Sequence, residues 1–272
     1  MTSTDSLAWS PGLESGGHAA PVLHVQDIVC RFGGVTAVGG VSFSLGAQER
    51  LAVIGPNGAG KTTLFKLIAG DIRPTDGRVV LFGKDVTRLP NYKRARLGVS
   101  RTFQVSTLFS KLSVIDNVRV GAQASQRVRH RFWWPQGRHD EVTVRADDVL
   151  EQVGLLERRD DVVSDLSHGE QRQLEIAIAL ATRPKFLLLD EPAAGLALGE
   201  RMMLRNLLKS LPRSLPFLLI EHDMSLVLEL ADRVLCLANG NEIALGTPDE
   251  IRSDEAVQKA YLGRRSNGPA DS

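Results

Sequence analysis

The chain has 272 residues, with 33 Lys and Arg against 32 Asp and Glu, so no global basic field of the kind that gathers nucleic acid is present. Hydrophobic residues make up 43% and charged residues 24%, enough for a real core, and the length suits one large domain or a core with an inserted subdomain. No apolar stretch is long enough to span a bilayer, and Met1 to Ala20 has neither a basic start nor an apolar segment, which excludes a signal peptide.

Residues 1–21, with their Ser, Gly and Pro, are expected to be a disordered leader, and 264–272 a matching flexible tail. Order starts near Val22. Leu23, Val25 and Ile28 precede Cys30-Arg31-Phe32-Gly33-Gly34, and Val41-Ser42-Phe43-Ser44-Leu45 alternates as a half-exposed strand should. Cys30 and Cys236 each lie in or beside an apolar strand-like run. Their spacing fits neither a metal site nor a disulfide framework, which favours buried free thiols and a reducing, cytoplasmic setting.

After the turn Gly46–Glu49 comes the apolar run Leu51–Ile54, then Gly55-Pro56-Asn57-Gly58-Ala59-Gly60-Lys61-Thr62-Thr63, then the helix-like Leu64–Ala69. Buried strand, glycine-rich loop and helix are the order a phosphate-binding loop requires. Gly55, Gly58 and Gly60 let the backbone amides turn inward, with Asn57 and Ala59 completing the cradle, and the helix N-terminus adds free N–H groups. Lys61 is placed to reach β- and γ-phosphates and the Thr62 hydroxyl to ligate Mg²⁺, with Thr63 beside it. A chance Lys-Thr after a glycine-rich turn is the bland alternative; the full pattern in this context implies binding of a nucleoside triphosphate. Gly70 is a C-cap, Pro74–Gly77 a turn, and Arg78–Phe82 a short strand ended by Gly83.

From about Val105 to Thr182 helical periodicity dominates, as in Val114–Val118 and Val149–Val153. Phe186–Leu189 and Phe217–Ile220 are continuous apolar runs that suit parallel strands buried on both faces. Val234–Leu237 is a third strand, and Asn239-Gly240 turns it into a hairpin with Glu242–Leu245. Thr247-Pro248-Asp249-Glu250 opens a helix. The expectation is an α/β fold: a P-loop NTPase core over 22–104 and 183–263, a mixed sheet with flanking helices and an N-terminal antiparallel β part, with an α-helical subdomain inserted at 105–182.

Asp190-Glu191 leaves the tip of a buried strand, where phosphoryl-transfer proteins hold Mg²⁺. Asp190 is assigned to Mg²⁺ through water, and Glu191 to polarising the attacking water. His222 leaves the next such tip. A lone His there is more often structural, but beside a γ-phosphate it would hydrogen-bond the phosphate and hold Glu191 and the water in place. Gln104, where the core gives way to helices, is a neutral amide able to touch Mg²⁺ and the water and to report nucleotide state. In Leu166-Ser167-His168-Gly169-Glu170-Gln171, Ser167 and Glu170 have capping-box spacing for a helix Gln171–Thr182. That alone explains the motif, but Gly169 beside Ser167 also makes a second anion site, remote from Lys61.

These motifs, in this order from about Leu23 to Gly263, resemble those of ATP-binding-cassette (ABC) transporter ATPases. The resemblance implies a head-to-tail dimer, of identical or homologous chains, in which Ser167 and Gly169 of one subunit close over the γ-phosphate held by Lys61 of the other. It also places Phe32 as the aromatic that stacks on adenine. Arg31-Phe32-Gly33-Gly34, Asp190–Leu196, Ile220–Met224 and the ending Ala260-Tyr261-Leu262-Gly263 are similar to the ATPase of branched-chain amino acid importers, whose longer helical insert would be Ser125–Glu141. Relatives of that family serve urea and short-chain amides. The resemblance implies permease subunits, a periplasmic solute-binding protein acting through them, and residence at the cytoplasmic face of the inner membrane. The family has a polar Asn or Asp after Gly195-Leu196; this chain has Ala197, in the stretch that crosses the dimer interface. Arg127, Arg129, His130, Arg131, Phe132, Trp133, Trp134 and Arg138 mix cations with aromatics. Self-packing, the transmembrane partner or lipid headgroups are the readings weighed there, ahead of nucleic acid. Three rivals stand beside the importer: a lipid or lipopolysaccharide exporter ATPase, a soluble DNA-repair or ribosome-acting cassette, and a non-hydrolysing regulatory cassette.

Overall fold

The computed structural model describes residues 20–102, 108–124 and 137–262. Gln104 and the cationic-aromatic stretch 125–136 lie outside the described residues, as do most of the expected leader and the tail 264–272. Two sheets organise the rest. In the first, β1 (Leu23–Phe32) pairs antiparallel with β2 (Val35–Leu45) and with β4 (Asp76–Leu81), and the short β5 (Lys84–Asp85) closes the far edge. The second sheet has the order β10-β9-β3-β8-β7-β6. Its strands are β3 (Arg50–Ile54), β6 (Val99–Arg101), β7 (Phe186–Asp190), β8 (Phe217–Ile220), β9 (Arg233–Ala238) and β10 (Asn241–Gly246). All neighbours there run parallel except β9 and β10.

β3, β7 and β8 are buried at every residue, which their unbroken apolar runs require of strands covered on both faces. Side chains of β7 alternate between two cores. Leu187 and Leu189 join α3 (Val114–Ala124), α4 (Gly137–Val153), α5 (His168–Ala181) and α6 (Leu198–Ser210) on one face. Leu188 joins α1 (Lys61–Ala69) and the antiparallel sheet on the other. The sheet is therefore the common wall of both cores. β9 turns into β10 through Asn239 and Gly240, both at positive φ (49° and 80°), as a two-residue hairpin of right-handed twist needs. Thr247 accepts from the Glu250 N–H, Glu250 returns a bond to the Thr247 N–H, and Pro248 opens α8 (Pro248–Ser253).

Local chemistry moved two boundaries. α5 begins at His168, not Gln171, because Ser167 is itself the N-cap and helical geometry starts one residue later. β4 stops at Leu81, since Phe82 turns out of the strand at φ 52°. α4 starts at Gly137, so the end of the stretch expected as an insert already belongs to a core helix. The short α2 (Asn91–Leu97) and β6 have no clear sequence signal, and neither do α7 (Met224–Leu230) and α9 (Glu255–Leu262). The two cysteines are buried free thiols, and no described helix is long and apolar enough to cross a membrane.

One buried cation fastens α2 to the helix that follows the glycine loop. Arg94 is 1% exposed. Its Nη1 donates to the carbonyls of Leu67 and Ile68 at 2.7 Å, its Nε to Leu89 at 2.9 Å, and its Nη2 to Thr87 at 3.3 Å. The first two belong to the last turn of α1, whose carbonyls have no helical partner and form the negative end of its dipole. Burial pulls the guanidinium down to about 10, so it stays charged at neutral pH. Arg94→Met strands these carbonyls and is expected to lower stability by about 3 kcal/mol, read as a lower unfolding midpoint in urea.

Candidate nucleotide site at the strand tips

The register of the parallel sheet lines up the strand ends. Val53 pairs with Ile220 and Ile220 with Asp190. Beyond the last pairs the chain stays zipped: the Glu221 N–H donates to Val53 O at 3.3 Å and the Glu191 N–H to Ile220 O at 2.9 Å. Gly55, Glu191 and His222 therefore leave the sheet side by side at its C-terminal edge. Thr102, the last residue described before Gln104, is tied to Leu188 O at 3.0 Å in the same way.

The loop after β3 is shaped by its surroundings as much as by its glycines. A Cβ at Gly55 (φ 147°) would lie 2.2 Å from Leu237 O, and one at Gly60 (φ 100°) 2.4 Å from Ala37 O. Both positions therefore need glycine sterically as well as conformationally. Gly58 and Asn57 are exposed at the loop's crest, Ala59 is buried beneath it, and Thr62 and Thr63 are half-buried in the first turn of α1. Lys61 is 6% exposed, and its Nζ donates to Gly55 O at 2.7 Å and Pro56 O at 3.2 Å. The amine thus curls over its own loop, where phosphate oxygens would replace the carbonyls. Phe32 closes the β1–β2 hairpin, whose Ala37 touches this loop, and it is 54% exposed.

Three acids gather beside the loop. Asp190 is 4% exposed, and its Oδ1 is buried without a hydrogen-bond partner among the described residues. Burial, and next the charge of Glu191, push its carboxyl up to about 6, while Lys66 and Lys61 pull the other way. Glu191 takes φ 44°, a left-handed conformation that is strained for a residue with a Cβ and recurs at functional sites. Glu221 is the group sequence reasoning passed over. Its side chain is fully buried; Oε1 accepts from the Ala193 N–H at 2.9 Å, and Oε2 from the N–H groups of His222 at 3.0 Å and Asp223 at 3.4 Å. It thus pins the turn after Glu191 to the turn that carries His222. The imidazole itself is 58% exposed, with Nδ1 3.8 Å from Glu221 Oε2.

Ser167 and Gly169 sit at the start of α5. The Ser167 Oγ accepts from the Glu170 N–H at 3.2 Å, and the Glu170 carboxylate accepts from the Ser167 N–H at 2.7 Å, a complete capping box. The Gly169 N–H donates to Glu200 Oε1 at 2.9 Å, a partner on α6. Among the described residues no group of three or more His, Cys, Asp or Glu is arranged to hold a metal ion. Mg²⁺ in phosphate sites uses one or two carboxylates with phosphates and water, and the orphaned Asp190 oxygen fits such a role.

An aspartate of the unfolded chain ionises near 3.8 and Asp190 near 6. Its contribution to stability is therefore fully present below the first value and lost as pH rises through the second. In nucleotide-free protein the ¹³C carboxyl resonance of Asp190 is expected to titrate near pH 6, and Asp190→Asn to gain stability relative to the parent across that window.

A family model described as ABC transporter matches residues 38–194, and one described as Branched-chain amino acid ATP-binding cassette transporter matches residues 242–266. The chain is 43% identical over 251 residues to the high-affinity branched-chain amino acid transport ATP-binding protein LivG of Escherichia coli (strain K12), covering 89% of this chain and 98% of that protein. The lipopolysaccharide export system ATP-binding protein LptB of Haemophilus influenzae is 32% identical over 245 residues, covering 90% and 98%. Among solved structures, the ADP conformation of MJ1267, an ATP-binding cassette of an ABC transporter, has a TM-score of 0.79 at 32% identity, covering 90% of this chain and all 100% of that one. Agreement this long in both sequence and fold leaves one assignment: the chain belongs to the ABC transporter family of ATP-binding cassettes.

Proposed function

We propose that this chain is the ATP-hydrolysing subunit of an importer for branched-chain amino acids or related small polar solutes. The observation that carries the hydrolytic part is the single row formed by the glycine loop, Asp190-Glu191 and His222 at the sheet edge. The cargo rests on the similarity to LivG and on the match of residues 242–266 to the branched-chain amino acid cassette model. The exporter reading draws on LptB at lower identity; transport assays with each kind of membrane subunit separate the two.

In this reading Phe32 stacks on adenine, and the backbone of Gly55, Asn57, Gly58, Ala59 and Gly60 with Thr63 cradles the phosphates. Lys61 turns from the Gly55 and Pro56 carbonyls to the β- and γ-phosphates. Thr62, Gln104 and, through water, Asp190 hold Mg²⁺, which when bound neutralises charge developing on the phosphates. Glu191 accepts a proton from the attacking water as the new O–Pγ bond forms and the bond to the β-phosphate oxygen breaks. His222 holds the γ-phosphate by a hydrogen bond. Ser167 and Gly169, on the helical segment 105–182, complete the site of a second copy or a homologous subunit. ATP stabilises the closed pair and ADP does not, and that difference in affinity drives the cycle.

Closure is passed to permease subunits at the cytoplasmic face of the membrane, with a periplasmic solute-binding protein on the other side. Their docking segment reaches the subunit near Gln104 and residues 105–120. A cleft of about 710 Å³ between α2, β6 and the turn 182–185, lined by Tyr92, Arg96, Arg101, Arg183 and Lys185, supports a seat on that side.

Glu191→Gln is expected to bind ATP, lose about a hundredfold or more in turnover, and sediment as an ATP-dependent dimer; a variant that stays monomeric removes Glu191 as the base. Ser167→Arg should keep the ATP affinity of the isolated subunit and abolish turnover, whereas loss of binding would assign Ser167 to its own subunit's site. Glu221→Gln exchanges an acceptor for a donor opposite an N–H and should lower kcat about tenfold through misplaced loops, with ATP affinity of the monomer unchanged.

A further inference from the structure

The start of α5 is already occupied by carboxylates. Its Ser167 N–H is held by Glu170, its Glu170 N–H by the Ser167 hydroxyl, and its Gly169 N–H by Glu200 Oε1 at 2.9 Å. The other Glu200 oxygen, Oε2, accepts from the Ala197 N–H at 2.9 Å. One carboxylate therefore bridges the N-termini of two helices, α5 and α6, both of which favour an anion. The fit is close: a Cβ at Gly169 would lie 2.8 Å from Glu200 Cγ and 2.9 Å from Oε1, so only glycine at 169 admits the carboxylate without displacing it. The bonds from Ala197 and Gly169 hold the Glu200 carboxyl below the usual range, so the bridging group is an anion at neutral pH.

We propose that Glu200 is a positioning residue that occupies the Gly169 N–H in the open subunit and yields it to the γ-phosphate of a partner copy on closure. The inference rests on the reading above, in which Gly169 meets that phosphate. An N–H carries one hydrogen, and Glu200 and a phosphate oxygen bring like charge to it. Closure therefore breaks the Gly169–Glu200 bond, and the open state is favoured by what that bond is worth. Ala197 has no side-chain oxygen to cap α6, so Glu200 keeps its second bond there and stays near when released. Its movement is felt at Ala197, the N-cap of α6, six residues beyond the catalytic Glu191 after a turn pinned by Glu221. Binding at one site is thereby linked to the geometry of the other.

The test uses full-length protein carrying Glu191→Gln, so that ATP is bound and not consumed, and reads dimer formation against Mg·ATP concentration by sedimentation. Adding Glu200→Gln, or Glu200→Ala, is expected to lower the ATP concentration for half-maximal dimerisation by about fivefold or more. In nucleotide-free protein the Gly169 amide should exchange slowly in the parent and faster in Glu200→Ala. A residue serving only as a helix cap would leave the ATP threshold unchanged or raise it, and either result overturns the proposal. So does a Gly169 amide that exchanges freely in the parent. If the Glu191→Gln parent never dimerises, the shared-site reading itself falls and Glu200 with it, a result distinct from an unmoved threshold in a parent that does.

Discussion

The chemistry of this subunit depends on parallel strands that end in one row. β3, β8 and β7 are buried at every residue and apolar between their ends, so their polar residues, Arg50 and Asp190, stand only at strand ends. The pairing of Val53, Ile220 and Asp190 makes them stop together. A shift of one residue would turn Asp190 inward or retract Glu191 from the edge, because side chains alternate between faces. The helices on either face need that register too, since Leu187 and Leu189 feed one core while Leu188 feeds the other.

Burying a carboxylate next to this row forces order on the loops beyond it. Glu221 has no exposed side-chain surface, and an ionised group there is tolerable only with its lone pairs satisfied. The N–H groups of Ala193, His222 and Asp223 do that, and each belongs to one of the two turns that leave the sheet edge at Glu191 and His222. The same loops keep Glu191 at a strained φ of 44°, a conformation that persists only where neighbouring structure over-determines it. Burial, and next the charge of Glu191, push the Asp190 carboxyl up, and its Oδ1 has no hydrogen-bond partner among the described residues. Lys61 gives two hydrogen bonds to carbonyls of its own loop. In the function proposed above, bound nucleotide would satisfy both groups.

What was legible in the sequence is what local chemistry determines. The glycine loop between an apolar run and a helix, the Asn239-Gly240 turn, and the boxes at Ser167 and Thr247 each need only neighbours within a few residues. α2 was not legible because its inward side chain is Arg94, so Asn91–Leu97 has no apolar stripe to betray it, and β6 has too few residues to show a period. Glu221 looks like a spacer before His222; only the sheet reveals that it points inward. Glu200 stands three residues after Ala197, a spacing that hints at half a capping box, but its partner Gly169 lies on another helix and no local pattern predicts that meeting. Tyr261, read as part of a family ending, is half-buried and packs against the cluster that holds Cys236, and desolvation drives its phenol up to about 12. The ending is therefore a packing element behind the glycine loop's sheet.

The alanine at 197 gains its meaning from Glu200. A polar side chain at 197 would cap α6 by accepting from that helix's own amides, and with an acid there, Glu170, Glu200 and residue 197 would crowd three carboxylates around two adjoining helix starts. With alanine, the helix is capped from one side only, by an arm that reaches back from the next turn and also spans to α5. That arm accepts two bonds of equal length, from the N–H groups of Ala197 and Gly169, one at each helix start. Where two copies share their nucleotide sites as proposed, the link that a polar group at 197 would make is carried one helical turn onward, by a side chain long enough to bridge α6 and α5.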